Sequence, residues 1–113
     1  MPKDYKVYID DIIEAIEKIQ RYVLSKSFQQ FSSDSLLVDG VIRNLAIIGE
    51  AVKNIPAEIR RKYPDIEWKK IAGLRDLLVH QYSGINDAII WDIVSNKLPE
   101  LKSFVIKLID DLK

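Results

Sequence analysis

The segment SLLVDGVIRNLAIIGEAVKN, residues 35–54, is strongly apolar and decides the fold. Its apolar side chains recur every three or four positions, the spacing of one helix face, at Leu37, Val38, Val41, Ile42, Leu45, Ile48, Ala51 and Val52. This pattern predicts a helix at the centre of the molecule. Gly49 lies inside that helix, where glycine costs about 1 kcal/mol relative to alanine. A glycine at this position indicates that another helix approaches closely.

Helical spacing continues on both sides of this segment, and the two-residue alternation typical of strands is absent. Further helices are predicted over residues 4–25, 57–62, 66–80, 87–98 and 99–112, with a short helical turn at Phe28–Phe31. The connections between them are short. The 113 residues therefore predict one all-α domain over 1–113, an up-down bundle of four to five main helices.

Polar residues and a proline predict where helices begin. Ser33 or Asp34 can cap the central helix, because short oxygen-bearing side chains accept hydrogen bonds from the first helical N–H groups. Asp65 and Asn86 are candidate caps for the helices that follow them. Pro99 suits the first turn of a helix, so a new helix is expected to start there.

Composition excludes several classes of protein. The chain has no cysteine and one histidine, which excludes disulfide scaffolds and argues against a transition-metal site, so no metal or cofactor is predicted. No apolar run approaches the roughly 20 residues of a membrane helix, and the first residues lack the apolar region of a signal peptide. We therefore expect a cytoplasmic protein without a membrane partner.

Charge is balanced, with 17 basic and 17 acidic residues, whereas non-specific nucleic-acid binders carry a basic excess. Any contact with RNA must therefore use a local patch. The basic candidates in segment 58–75 are Arg60, Arg61, Lys62, Lys69, Lys70 and Arg75, against three acidic residues. This run is either an RNA-binding surface or a solvated helix face.

The octapeptide RDLLVHQY, residues 75–82, contains the single histidine, His80, together with Arg75 and Tyr82. On an ideal helix Arg75 and His80 lie about 140° apart around the axis. They can converge if the helix ends near His80, around a ligand, or across a two-fold axis between two copies. Otherwise the stretch is an ordinary helix edge, with Arg75 paired to an acidic neighbour.

These residue types suit the cleavage of RNA. Histidine exchanges protons near neutral pH, so His80 could deprotonate a ribose 2′-hydroxyl or protonate the leaving oxygen. Arginine binds phosphate through a two-pronged fork, so Arg75 could stabilise the charged transition state. DNA would resist, because it lacks the attacking hydroxyl.

The order of Arg75, Asp76, His80 and Tyr82 resembles the signature of the HEPN superfamily, and most closely its HepT-like branch. The stretches RNLAIIGEAVKNIP at 43–56, YPDIEWKKIAGLRD at 63–76 and LPEL at 98–101 extend the resemblance over nearly the whole chain. It implies a homodimeric helical bundle that cleaves RNA, such as tRNA or mRNA, without metal in a cleft at the dimer interface.

By the same resemblance Arg75 and His80 are the catalytic residues, and Asp76 helps to orient the site. Tyr82 matches a tyrosine that an MNT-type nucleotidyltransferase antitoxin modifies with AMP, which implies the toxin of a type II toxin–antitoxin pair. Glu50 either faces the same cleft or pairs with a base such as Arg43, Lys53 or Arg75.

Trp68 could stack on a base, or it could belong to the core or to a dimer contact. Two other functions also remain open for the whole chain. The first is a non-catalytic helical partner that binds a nucleotidyltransferase, with Tyr82 as its main feature. The second is a nucleotide-sensing domain in which Arg75 and Lys69 or Lys70 hold phosphates, although the chain has no glycine-rich phosphate loop.

Overall fold

The computed structural model describes residues 5–80 and 86–112, with side chains for all of these except 77–80 and 112. Within them all regular structure is helical, which confirms the all-α prediction. The helices are α1 (Lys6–Val23), α2 (Phe28–Ser32), α3 (Ser35–Lys53), α4 (Ala57–Lys62), α5 (Trp68–His80), α6 (Asp87–Asp92) and α7 (Leu98–Leu112). None of the described helices combines the length and the apolar character needed to cross a bilayer.

The predicted central helix is α3, which packs against α1 on one side and α5 on the other. Its apolar positions form the middle of the core, where Val41, Leu45, Ile48 and Val52 are fully buried. The apolar faces of α1 and α7 close over the same core, because each presents one stripe at helical spacing. Burying one such side chain contributes about 1.5–3 kcal/mol, so this core supplies most of the driving force for folding.

Two of the predicted helix caps are present and one is not. Asp34, rather than Ser33, caps α3 by accepting a hydrogen bond from the backbone N–H of Leu37 at 3.1 Å. Asn86 caps α6, as predicted. Asp65 does not cap α5, because the chain is still in a turn at residues 63–66 and the helix begins only at Trp68.

The predicted helix over 99–112 is confirmed as α7, which begins at Leu98 and has Pro99 in its first turn, but no break separates it from α6. A π-helical segment, Ile93–Lys97, joins α6 to α7. The N–H of Leu98 donates to the carbonyl of Ile93, which is the five-residue spacing of a π-helix. Within a regular α-helix the ring of Pro99 would clash with the carbonyl four residues earlier. The wider turn just before Pro99 lets the helix continue past it.

The close helix approach expected at Gly49 is present between α3 and α5. A Cβ atom on Gly49 would lie 2.8 Å from the backbone nitrogen of Arg75 and 3.0 Å from the carbonyl oxygen of Ile71. Backbone atoms cannot rotate away as a side chain can. Any larger residue at position 49 must therefore push the two helices apart.

A second glycine, Gly73 on α5, offers a matched control. It is exposed, and a Cβ atom there would have no heavy atom within 4 Å. Alanine at either position gains the same helix propensity of about 1 kcal/mol. We expect Gly49→Ala to have a free energy of unfolding about 1–3 kcal/mol lower than Gly73→Ala, the usual cost of an overpacked contact, in denaturant titrations. Equal free energies of unfolding for the two variants would show that α3 and α5 can move apart without loss of stability.

Candidate functional site

Arg75 lies on α5 where this helix crosses α3, with its side chain 39% exposed. Its Nε atom is 3.5 Å from Oε2 of Glu50 on α3, and its Nη1 atom is 3.4 Å from Oδ1 of the adjacent Asp76. Both distances are longer than a strong charge-assisted hydrogen bond of about 2.7–2.9 Å. The backbone of Arg75 is therefore held firmly against Gly49, while its guanidinium is held loosely and reaches solvent.

A second cation, Lys53 of α3, completes the group. Its Nζ atom lies 3.1 Å from Oδ1 of Asp76, the same oxygen that Arg75 contacts. We call Glu50, Lys53, Arg75 and Asp76 the charge cluster; its formal charges are two positive and two negative. The hydrogen bond from Lys53 is the main cause that lowers the pKa of Asp76 below its ordinary value of 3.8, and Arg75 adds to it.

Of His80 and Tyr82, the other two polar residues singled out in the octapeptide, the structure describes only the backbone of His80. His80 is the last residue of α5 that the structure describes. Five residues of helix separate the two by about 7.5 Å along the axis. The side chain of His80 and the whole of Tyr82 lie outside the described residues.

The predicted basic patch is not a uniform surface. Arg60 is partly buried and donates through Nε to a backbone carbonyl at 3.0 Å, so it serves the fold. Lys70 lies 2.9 Å from Glu67, and this contact is the first cause of the lowered pKa of Glu67. The exposed members of the run that have neither of these contacts are Arg61, Lys62 and Lys69.

Trp68 is a core residue. Its side chain is buried, and its Nε1 atom donates to the carbonyl oxygens of Arg60 and Tyr63 at 3.1 and 3.0 Å. The indole therefore ties the start of α5 to the end of α4. A base could not stack on it without unfolding this corner, so the base-stacking alternative is wrong.

An apolar cleft of about 210 Å³ lies next to α5, the π-helical segment and α7. Its lining includes Ile48, Ile71, Leu74, Ile93 and Phe104, and no residue of the charge cluster contributes to it. Among the described side chains, those of residues 5–76 and 86–111, no group of three acidic residues is placed to hold a metal ion. Among the described residues, the charge cluster is thus the group that is charged, is partly exposed and includes two residues of the octapeptide, Arg75 and Asp76.

Comparison with known proteins assigns the family. The family described as "Ribonuclease HepT-like" matches residues 12–108, which include the whole charge cluster and His80. The chain belongs to the HepT-like family. The resemblance to the HEPN superfamily stated from the octapeptide and its flanking stretches is therefore confirmed.

Relatives of this HepT-like chain are found in archaea and bacteria. "Probable ribonuclease HepT" of Thermococcus cleftensis is 41% identical over 108 residues, covering 96% of this chain and 98% of the relative. "Putative RNase" of Caldanaerobacter subterraneus is 40% identical over 111 residues, covering 98% and 99%.

A third relative is longer than this chain. "Gamma-glutamylcyclotransferase and putative RNase" of Methanocaldococcus jannaschii is 41% identical over 112 residues, which are 99% of this chain but 50% of that protein. The HepT-like chain thus spans half the length of this relative. No solved structure matches the chain.

Sequence reasoning identified Glu50 as a possible partner of Arg75 but did not connect Lys53 with Asp76. A signal for Lys53 does exist. It follows Gly49 by four residues, one helical turn, and so lies on the same side of α3 as the close contact with α5. A long cation at that position can reach across to the carboxylate beside Arg75.

The pKa of Asp76 tests this arrangement. We expect Lys53→Met to raise this pKa only part of the way towards 3.8, because the main stabilising hydrogen bond of the carboxylate is lost while Arg75 remains beside it. In the native protein the stabilisation from ionised Asp76 is present above 3.8 and is lost as the pH falls through the lowered pKa. NMR titration of the carboxyl group of Asp76 measures this pKa in the native protein and in Lys53→Met.

Lys70→Met serves as the matched control for this titration. It should raise the pKa of Glu67, whose main partner it removes, and leave that of Asp76 as in the native protein. If Lys53→Met left the titration of Asp76 unchanged, the contact between Lys53 and Asp76 would not exist in solution.

Proposed function

We propose that this HepT-like protein is a metal-independent endoribonuclease, the toxin of a type II toxin–antitoxin pair, with Arg75 and His80 as catalytic residues. The observation that carries the proposal is the placement of Arg75. Its side chain is 39% exposed and loosely held at the α3–α5 crossing, and it lies five residues before His80 on the same helix. Family membership and relatives that bear ribonuclease names support the same reaction.

The reaction needs only proton transfer and charge stabilisation. The ribose 2′-oxygen attacks the neighbouring phosphorus, and the bond from phosphorus to the 5′-oxygen of the next nucleotide breaks. One imidazole takes the proton of the 2′-hydroxyl, and a protonated imidazole gives a proton to the leaving 5′-oxygen. The products are a 2′,3′-cyclic phosphate and a 5′-hydroxyl. Arg75 binds the non-bridging oxygens, whose charge grows in the transition state.

Both proton transfers in one turnover take two groups, one that accepts a proton and one that donates it, and each chain has one histidine for these roles. A homodimer with the site at its interface supplies the second. One face of α3 supports such a contact, because Leu36 and Ile47 are exposed apolar residues at helical spacing with Glu50. Leu36 is 82% exposed, so a partner chain that covered it would bury its apolar surface.

The proposed antitoxin is an MNT-type nucleotidyltransferase that transfers AMP to Tyr82. Tyr82 follows His80 by two residues, so an adenylyl group there would put a phosphate and a bulky nucleoside beside the site. The phosphate would bind Arg75 in place of RNA. Modification would thereby block the substrate without unfolding the toxin.

Cleavage in EDTA is the direct test. We expect the purified protein, without its partner, to cut total tRNA or a model mRNA and to leave cyclic-phosphate and 5′-hydroxyl ends. His80→Ala and Arg75→Ala should each lower the rate at least about 100-fold, the usual contribution of an acid–base group or of a charge that stabilises the transition state. Circular dichroism checks that both variants stay folded.

Lys18→Met is the control. Lys18 lies on the surface of α1 and pairs with Glu14, and neither residue belongs to the charge cluster. Its rate should equal that of the native protein. Absence of cleavage by folded, unmodified protein would contradict the ribonuclease proposal and favour a non-catalytic partner of the nucleotidyltransferase.

Modification of Tyr82 is tested with the nucleotidyltransferase and ATP. We expect mass spectrometry to find one adenylyl group on the peptide that contains Tyr82, with ribonuclease activity falling in proportion to the modified fraction. Tyr82→Phe should remain active and resist inactivation, because it keeps the ring but lacks the acceptor oxygen. Full inactivation of Tyr82→Phe by the same treatment would place the modification elsewhere.

A further inference from the structure

Arg75 is flanked by two carboxylates, Glu50 and Asp76, and this raises a difficulty for the proposed reaction. An arginine between two acids is already neutralised, and the remaining negative charge repels an RNA phosphate. Lys53 changes this balance. With its charge included, the charge cluster sums to zero, and the phosphate meets two cations as well as two anions.

Asp76 is nearer to Lys53 than to Arg75. Its Oδ1 atom accepts from Lys53 Nζ at 3.1 Å and lies 3.4 Å from Arg75 Nη1, so both cations compete for one oxygen. Each contact that Asp76 makes with one cation weakens its hold on the other. Without Lys53, the guanidinium of Arg75 would be the nearest cation for Asp76 and would close onto it.

The position of Lys53 depends on the same close contact that holds Arg75. Gly49 brings α3 against the backbone of Arg75, and Lys53 follows one turn later on the same side of α3. Lys53 is therefore placed beside α5 by the packing of two helices and not by a mobile loop. Its side chain is 36% exposed and that of Asp76 54%, and ion pairs of such exposure contribute little to stability.

We propose that Lys53 is a positioning residue of the ribonuclease site: it holds Asp76 and so leaves the guanidinium of Arg75 available to a phosphate of RNA. Lys53 acts through Asp76 and does not itself need to touch the substrate. The inference rests on the proposed catalytic role of Arg75 and adds the residue that regulates its availability.

Four variants separate this role from others. In Lys53→Met, Asp76 is left with Arg75 alone, and we expect kcat/KM for RNA cleavage to fall about tenfold, equivalent to about 1.4 kcal/mol. In the double variant Lys53→Met with Asp76→Asn, the competing carboxylate is gone, and the rate should exceed that of Lys53→Met and equal that of Asp76→Asn alone. Lys53→Arg keeps the charge and should remain active, and Lys18→Met again controls for loss of a surface lysine.

Binding is measured separately with an RNA oligonucleotide that carries 2′-O-methyl groups and cannot be cleaved. Fluorescence anisotropy should show weaker binding by Lys53→Met and recovery in the double variant. Native-like cleavage and binding by Lys53→Met would overturn the inference. An equal loss in the single and double variants would also overturn it, because Lys53 would then contact the RNA itself.

A measurement on the free protein keeps the inference separate from the proposed function. When Arg75 closes onto Asp76, rotation about its Nε–Cζ bond slows, and NMR of the guanidinium nitrogens detects this. We expect slower rotation in Lys53→Met than in the native protein, with fast rotation restored in the double variant. If the native protein cleaves no RNA, the ribonuclease proposal fails, and unchanged rotation in Lys53→Met overturns the role of Lys53 independently.

Discussion

The contact between Gly49 and the backbone of Arg75 is the constraint on which the candidate site depends. A Cβ at position 49 would lie 2.8 Å from the nitrogen of Arg75, so the two helices are as close there as a glycine permits. This closeness brings short and long polar side chains of α3 within reach of α5. Glu50, next to the glycine, meets Arg75, and Lys53, one turn on, meets Asp76. The absence of a side chain at Gly49 thus permits the approach at which these charges become neighbours.

The charge cluster differs from the core in what it contributes. The apolar side chains of α1, α3 and α7 are buried and stabilise the bundle, whereas the four charged side chains are between 36% and 56% exposed and stabilise it little. Their arrangement is therefore of more consequence for the proposed reaction than for stability. A protein with 17 basic and 17 acidic residues has no general attraction for RNA, so the proposed function requires a few cations that are not fully neutralised by their neighbours.

Where prediction from the sequence failed, the cause was a local rule overridden by packing. Pro99 lies in the first turn of α7, yet no break precedes that helix, because a π-helical segment joins it to α6. Trp68 has the aromatic face that stacking on a base needs, yet its indole is buried between α4 and α5. Arg60 belongs to a basic run, but its Nε atom donates a hydrogen bond to a backbone carbonyl. In each case the residue type was compatible with two environments.

The sequence by itself determined that the chain is helical, which face of α3 is buried, the cap at Asn86 and the need for a close approach at Gly49, and it left the cap of α3 to Ser33 or Asp34. These features follow from spacing along one chain segment, and helical periodicity is a local property. It also carried the family signature at Arg75 and His80. Only the tertiary structure decided that Arg75 meets Glu50 and that Asp76 is shared with Lys53. Such pairings depend on how far two helices are shifted and rotated against each other, which the packing of the whole core sets.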